Sequence, residues 1–258
     1  MMMKKIKIYI VTYNDSPILN SNLDSLFASD DMGNVEVNII NNHTNFSINP
    51  KHELNVNVLH NVLRPDFSNG HLTRDYNSAL INGFKNLNNP DADIVLPCHD
   101  DTLWRSNWKE LLIEIHSRYT FYTCGWGCGL CSYTPDAVKQ IGLWDERFNG
   151  ITHHEFDYYL RAYMYNNSLS SINDDGHHQI LNPESPISYR SSPPREHNGR
   201  MSVHGYTGRL FHMKWDFPVH GEWSPEIMPK EPLPCKIPNY VLYEYFERDI
   251  NKEGRNYS

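Results

Sequence analysis

Three short apolar runs, Ile6–Val11, Val35–Ile40 and Ile94–Pro97, limit what this chain can fold into. Each is rich in branched residues and stops abruptly on polar ones: Thr12-Tyr13-Asn14, Asn41-Asn42-His43-Thr44 and His99-Asp100-Asp101. Runs of this length, bounded in this way, read as buried strands, and Val56–Leu59 reads as another. Helical spacing fills the gaps. Asp15 or Ser16 is placed to cap a helix with Leu19, Leu23, Leu26 and Phe27 on one face. Leu72, Tyr76, Leu80, Ile81 and Phe84 mark a second helix between Gly70 and Phe84, and a third runs from about Asn107 to Arg118. Strand alternating with helix predicts an α/β fold, with a mixed, mainly parallel sheet, right-handed crossovers and helices on its faces.

Beyond residue 120 the pattern changes. Phe121–Tyr133 is rich in Gly, Cys and aromatic residues and reads as irregular or strand-like. Pro135–Ile141 predicts a short helix opened by its proline, and His153–Tyr165 a longer one with Phe156, Leu160 and Tyr163 inward. Prolines, glycines and histidines interrupt 173–238, which predicts an irregular C-terminal region of loops over the sheet. Residues 239–248 suggest a last aromatic-rich helix.

Charge narrows the function. With 23 basic against 31 acidic residues the net charge is −8, which argues against a general nucleic-acid binder but not against a nucleotide ligand. No apolar run approaches the roughly 20 residues that span a bilayer, so no transmembrane segment is expected. The apolar stretch near the start is too short for a secretory signal, and five cysteines, an odd number, suggest reduced thiols. The expectation is a cytoplasmic enzyme.

In a parallel sheet the three strand ends meet on one rim, where open α/β sheets hold their ligands. Thr12, Tyr13, Asn14, Asn41, Asn42, Asp100 and Asp101 would line that crevice. Adjacent carboxylates repel, so Asp100-Asp101 at a strand end reads either as a solvated acidic turn or as a site for Mg²⁺ or Mn²⁺. Arg74 and Asn77, three apart on a helix, share a face, and the Arg fork could reach a pyrophosphate or its neighbour Asp75. Glu155 and Asp157 flank Phe156 near a helix start, where the dipole favours a carboxylate able to take a proton. Cys124-x3-Cys128-x2-Cys131 has an iron–sulfur spacing, but the chain lacks the barrel such clusters occupy; a zinc site is the other alternative, and buried thiols are the preferred reading. Of the histidines crowding the last third, His178 is taken to complete a metal shell with Asp101 and Asp100. Lys214 beside Trp215 reads as a phosphate contact or as a snorkelling lysine.

Taken in order, these stretches resemble the GT-A-fold glycosyltransferases of family two, over roughly residues 6–218. Ile8-Tyr-Ile-Val-Thr12-Tyr13-Asn14 is similar to the first strand and nucleotide loop, and His99-Asp100-Asp101 stands at the Asp-x-Asp position. Gly70…Arg74…Asn77 looks like the Gly-rich helix start with its Arg-Asn pair. Ile141-Gly-Leu-Trp-Asp-Glu-Arg-Phe148 and His154-Glu155-Phe156-Asp157-Tyr-Tyr-Leu-Arg161 resemble the family's later motifs, as does the Lys214-Trp215 pair. Three departures stand out: His99 for the first Asp, Asn41 or Asn42 for a base-contacting Asp, and Glu155 for the Asp that serves as base.

The resemblance implies a GT-A (Rossmann-like) domain over 1–218, with a nucleotide-sugar half at about 1–101 and an acceptor half at about 102–218. Residues 219–258 would be an extension packed on it. It implies metal-dependent, inverting transfer from a nucleotide-diphosphate sugar, UDP-sugar first, to a glycan or other hydroxyl acceptor. Glu155 and Asp157 would be catalytic. Thr12, Tyr13, Asn14, Asn41, Asn42, Arg74, Asn77, Asp100 and Lys214 would hold the donor, and Asp101, Asp100 and His178 the Mn²⁺ or Mg²⁺. Two other readings fit the same crevice: a sugar nucleotidyltransferase, and an inactive carbohydrate-binding protein.

Overall fold

The computed structural model describes residues 4–13, 16–43, 46–61, 72–124, 128–148, 153–164, 187–190, 200–217 and 233–241. Strands β1 (Ile6–Thr12), β2 (Val35–Asn41), β3 (Asn57–His60) and β4 (Ile94–His99) lie parallel; β1, β2 and β4 begin where an apolar run begins, and β3 one residue into Val56–Leu59. Helices α1 (Ser16–Ser29) and α2 (Leu72–Phe84) occupy the expected gaps. The stretch read as irregular or strand-like is a hairpin, β6 (Phe121–Cys124) and β7 (Leu130–Tyr133), whose second strand runs antiparallel to β4. The six-stranded order is therefore β3-β2-β1-β4-β7-β6.

Alternation along β1 builds two cores. Ile6, Ile8 and Ile10 face Leu19, Leu23 and Leu26 of α1, together with Trp108 and Leu112 of α3 (Trp108–Arg118). Tyr9 and Val11 face Tyr76, Leu80 and Phe84 of α2 on the opposite side. Helices α4 (Pro135–Ile141) and α5 (His153–Met164) enlarge that second core through Val138, Phe156 and Tyr159. None of the helices in the described residues is long and apolar enough to cross a membrane.

Three elements depart from the sequence expectation. A short strand β5 (Thr102–Trp104) pairs antiparallel with β8 (Ser188–Arg190), setting a small second sheet directly after the acidic pair. Helix α6 (Arg200–Trp215) lies inside the stretch expected to be loops, and its Phe211 and Trp215 are buried in the second core. Its inward face also carries Thr207 and Lys214, so no apolar stripe announced it. Residues 239–241 are not helical, and the rest of the last expected helix lies outside the described residues. The segment 233–241 packs against the domain: Lys236 N–H donates to the Lys214 carbonyl at 2.8 Å, and Val241 joins the core.

Two predictions follow from this packing. Gly83 of α2 lies against β4, and a Cβ there would sit 2.4 Å from Val95 Cγ2 and 2.9 Å from its Cγ1. Val95 is stiff and fully buried, so Gly83→Ala should lose about 1–2 kcal/mol in urea unfolding, although alanine alone favours a helix by about 1 kcal/mol. His116 is buried with Nδ1 at 2.9 Å from the Tyr119 carbonyl and Nε2 at 2.9 Å from Ser132 Oγ. A carbonyl only accepts, so Nδ1 carries the proton and Nε2 accepts from the serine. Burial, aided by Lys4, holds its pKa down at about 3. The unfolded chain therefore binds a proton that the folded state refuses, and stability should fall as pH drops from about 6.5 towards 3. The slope from this group is about 1.4 kcal/mol per pH unit, and His116→Gln should remove that share of it in unfolding curves measured across the window.

Candidate active site

The strand ends expected to converge do so. Thr12 stands opposite Asn41, and Val11 opposite His99, so the carboxyl ends of β1, β2 and β4 form one rim. Thr12 Oγ1 donates to Asp100 Oδ2 at 2.9 Å, joining two of those ends by a buried bond. Asp100 and Asp101 are 6% and 3% exposed, which rules out the solvated-turn reading of this pair. Their carboxylate oxygens are the hard donors that Mg²⁺ or Mn²⁺ prefers. Asn14 and His178 lie outside the described residues.

Beside this rim a buried carboxylate gathers the neighbouring loops. Asp75 of α2, fully buried, accepts from Tyr13 Oη at 2.7 Å, Asn42 Nδ2 at 3.0 Å and Asn61 Nδ2 at 3.2 Å. The side chains of Tyr13 and Asn42 are thus turned towards the helix. Asn41 bonds the His43 carbonyl and the His60 ring, and its own carbonyl accepts His43 N–H, so its amide shapes the β2 loop. Sequence reasoning passed over Asp75 except as a neighbour of Arg74. The signal was there: it sits beside Tyr76 on the face of α2 that the apolar residues bury.

Arg74 and Asn77 do share a face, and the group they meet is Glu146. Arg74 Nε lies 3.1 Å from Glu146 Oε2 and Asn77 Nδ2 lies 3.0 Å from its Oε1. Asn77 also exchanges two bonds with the Trp144 backbone, fastening α2 to the turn after α4.

At the entrance to β7, Cys128 links the end of β4 to the start of α5. Its N–H donates to Glu155 Oε1 at 2.9 Å, and its carbonyl accepts from Tyr76 Oη at 2.5 Å. The preceding strand end is held to Gly129, whose carbonyl accepts His99 N–H at 2.8 Å. Glu155 therefore stands on the first turn of α5, with its side chain 19% exposed, fixed relative to the acidic pair.

Asp157, two residues on, is in the interior. Its Oδ2 receives Arg161 Nε and Nη2 at 3.1 and 3.0 Å, and its Oδ1 receives Trp215 Nε1 at 2.9 Å and Lys214 Nζ at 2.6 Å. Lys214, 0% exposed, also pairs with Asp145 at 2.9 Å and with Asn239. Arg147 forks onto Asp145 from the other side. Burial would push the Asp145 carboxyl up, but Lys214 and Arg147 outweigh it and hold it down at about 2. This cluster joins α5, α6, the loop after α4 and the segment 233–241. Neither Asp157 nor Lys214 opens onto the crevice where the sequence placed them.

No family model matches the chain, and no curated protein matches it. Among solved structures it is similar to S. aureus TarS 1–349, with a TM-score of 0.51 at 14% identity, covering 80% of this chain and 64% of that one. The same fragment in complex with UDP gives 0.50 at 13% identity over the same shares. The mannosyltransferase PcManGT from Pyrobaculum calidifontis, in complex with GDP-Man and Mn²⁺, gives 0.49 at 12% identity over 82% and 61%. The chain thus spans somewhat less than two thirds of these structures. At such identities the likeness establishes the fold, the mixed α/β sheet described above.

The Asp157 cluster carries its own prediction. Asp157→Asn keeps the shape and removes the charge between Arg161 and Lys214, so it should lose about 3–5 kcal/mol in chemical denaturation. Adding Lys214→Met should restore part of that loss, because the second change removes the cation left uncompensated.

Proposed function

We propose that the protein is an inverting glycosyltransferase, moving a sugar from a nucleotide-diphosphate donor to a hydroxyl of a glycan or related acceptor. The observation that carries this reading is the placement of two carboxylate centres on one side of the sheet. Asp100-Asp101 end β4, Glu155 opens α5, and Cys128 and Gly129 lie between them. The fold shared with TarS 1–349, a protein solved with UDP, supports a UDP-sugar as first choice of donor.

In this reading the crevice beyond β1, β2 and β4 takes the nucleotide, with the Thr12–Asp100 bond setting the orientation of the Asp100 carboxylate. Asp101, with Asp100, would hold Mg²⁺ or Mn²⁺, which when bound offsets the charge of the diphosphate leaving group. Glu155 takes the proton of the acceptor hydroxyl. The acceptor oxygen forms its bond to the anomeric carbon while the bond from that carbon to the diphosphate oxygen breaks, its electron pair leaving with the nucleotide. Attack opposite to the leaving group inverts the centre. The Cys128 N–H, donating to Oε1, fixes the orientation of the Glu155 carboxylate on the first turn of α5. We assign Asp157, Lys214, Arg74 and Asn77 positioning roles: the first two seat α5 and α6, the second two seat the loop at Glu146.

The test is calorimetric and kinetic. UDP should bind more tightly with Mn²⁺ than without it, and Asp101→Asn should weaken binding at least tenfold and abolish the Mn²⁺ effect. Glu155→Gln, whose amide oxygen can still accept the Cys128 N–H, should bind UDP within about twofold of wild type. Its turnover with the active sugar nucleotide should fall by about 10²–10⁴, the share of a positioned base. Unchanged UDP binding and metal response in Asp101→Asn would remove the acidic pair from the site.

A further inference from the structure

Cys128 is surrounded by more than the proposed reaction uses. Its Sγ lies 3.3 Å from His154 Nε2 and 4.0 Å from His99 Nε2. His154 Nε2 is in turn 3.8 Å from Glu155 Oε1, and one ligand atom each of Cys128, His154 and Glu155 fall within 4.8 Å of one another. A tetrahedral Zn²⁺, with Zn–S near 2.3 Å and Zn–N or Zn–O near 2.0 Å, sets its ligand atoms about 3.3–3.6 Å apart. The separations of 3.3, 3.8 and 4.0 Å are within about half an ångström of that, a difference side-chain rotation can close. We propose that Cys128, His154 and Glu155 form a binding site for Zn²⁺, separate from the acidic pair at Asp100-Asp101, with His99, 4.0 Å from the Cys128 sulfur, turning in as fourth ligand when the ion binds.

The chemistry of the donors separates the two sites. A thiolate and two imidazoles are the soft and borderline ligands that favour Zn²⁺, whereas Mg²⁺ and Mn²⁺ favour the carboxylates at the end of β4. Charge balances as well: one thiolate and one carboxylate neutralise the ion, and the two imidazoles add nothing. Cys128 is 1% exposed and His154 7%, and a centre with no net charge suits so buried a place. The ion exchanges for the thiol proton, which leaves to solvent.

The scaffold is already organised for this. Both backbone groups of Cys128 are held, the N–H by Glu155 and the carbonyl by Tyr76, which fixes the position from which its side chain projects. His99 is positioned by its own N–H on Gly129, and its ring lies against Tyr76 at 6.3 Å between centroids. His154 lies against Trp144 at 5.8 Å. Glu155, the most exposed of the three core ligands, offers the way in.

A consequence rests on the transferase reading: Glu155 bound to Zn²⁺ is no longer a base. Zn²⁺ should then act as a reversible inhibitor of sugar transfer, even with Mn²⁺ in excess.

The test begins with metal-stripped full-length protein titrated with Co²⁺, followed in the ultraviolet and visible. The expected result is one equivalent bound, with thiolate-to-cobalt charge transfer and the intense d–d bands of tetrahedral Co²⁺, both abolished by stoichiometric Zn²⁺. Cys128→Ser should lose the charge-transfer band, and His154→Gln should weaken Co²⁺ binding at least tenfold, while both keep the wild-type circular dichroism and UDP binding. X-ray absorption at the zinc edge of the wild-type complex, which needs no variant, should show one sulfur among nitrogen and oxygen neighbours. An all-oxygen shell, no charge transfer in wild type, or charge transfer retained in Cys128→Ser would each overturn the site. These readouts are independent of any sugar donor. A zinc site found by them without inhibition of turnover would count against Glu155 as the base and leave the site standing.

Discussion

The packing of α5 and α6 depends on one buried carboxylate. Asp157 has nearly every lone-pair direction occupied, by Arg161 from its own helix and by Lys214 and Trp215 from α6. Two buried cations and one anion would be unfavourable, but Asp145 supplies the second anion and brings in the loop after α4. Arg161 adds a bond from Nη1 to the Ile141 carbonyl and lies over the Tyr158 ring. The network thus closes around four stretches of chain, α5, α6, the loop after α4 and the segment 233–241. Hydrophobic packing of Phe156, Phe211 and Trp215 surrounds it, yet packing tolerates small slides that paired charges at 3 Å do not.

Smaller polar centres do the same around the ends of β1, β2 and β4. Asp75 ties the loops after β1, β2 and β3 to α2, and Thr12 ties the end of β1 to Asp100. Asn22, buried on α1, donates to the His99 carbonyl at 3.1 Å and accepts Trp104 Nε1 at 2.9 Å, which sets the chain on either side of the acidic pair. These are the means by which a rim of flexible strand ends becomes a fixed surface. Each centre joins residues dozens of positions apart, so each acts only after the sheet has formed.

That distinction explains what the sequence made legible. The strands and the first three helices are encoded locally, by apolar periodicity and by where each run ends, and they were found to within a few residues. The convergence of the strand ends followed from parallel topology alone. Helix α6 and the pairing of β5 with β8 were missed because their signals are not local. Lys214 and Thr207 break the apolar stripe of α6, and β5 is three residues long. Charged residues misled for the same reason. Asp157 and Lys214 look like site residues in sequence, and only the counter-charges across the core show that both can be buried. Asp75 and Glu146, which looked incidental, turn out to organise two loops.

Glu155 shows how closely positioning and reactivity are coupled here. Its carboxylate is held by the backbone of Cys128, and that backbone is held by Tyr76, a fully buried residue whose hydroxyl proton burial keeps firmly in place. Tyr76 is packed edge-on against Trp144, whose backbone is fastened to Asn77 and through it to Glu146 and Arg74. The chain of contacts runs from helix α2 to the proposed base without passing through solvent. A side chain one methylene longer than aspartate would ordinarily carry more rotamer freedom, and the Cys128 N–H removes much of it. The same bond that orients the carboxylate also brings it to the thiol and the imidazoles. The proposed base and the proposed metal ligand are thus one constrained group, and the two roles exclude each other.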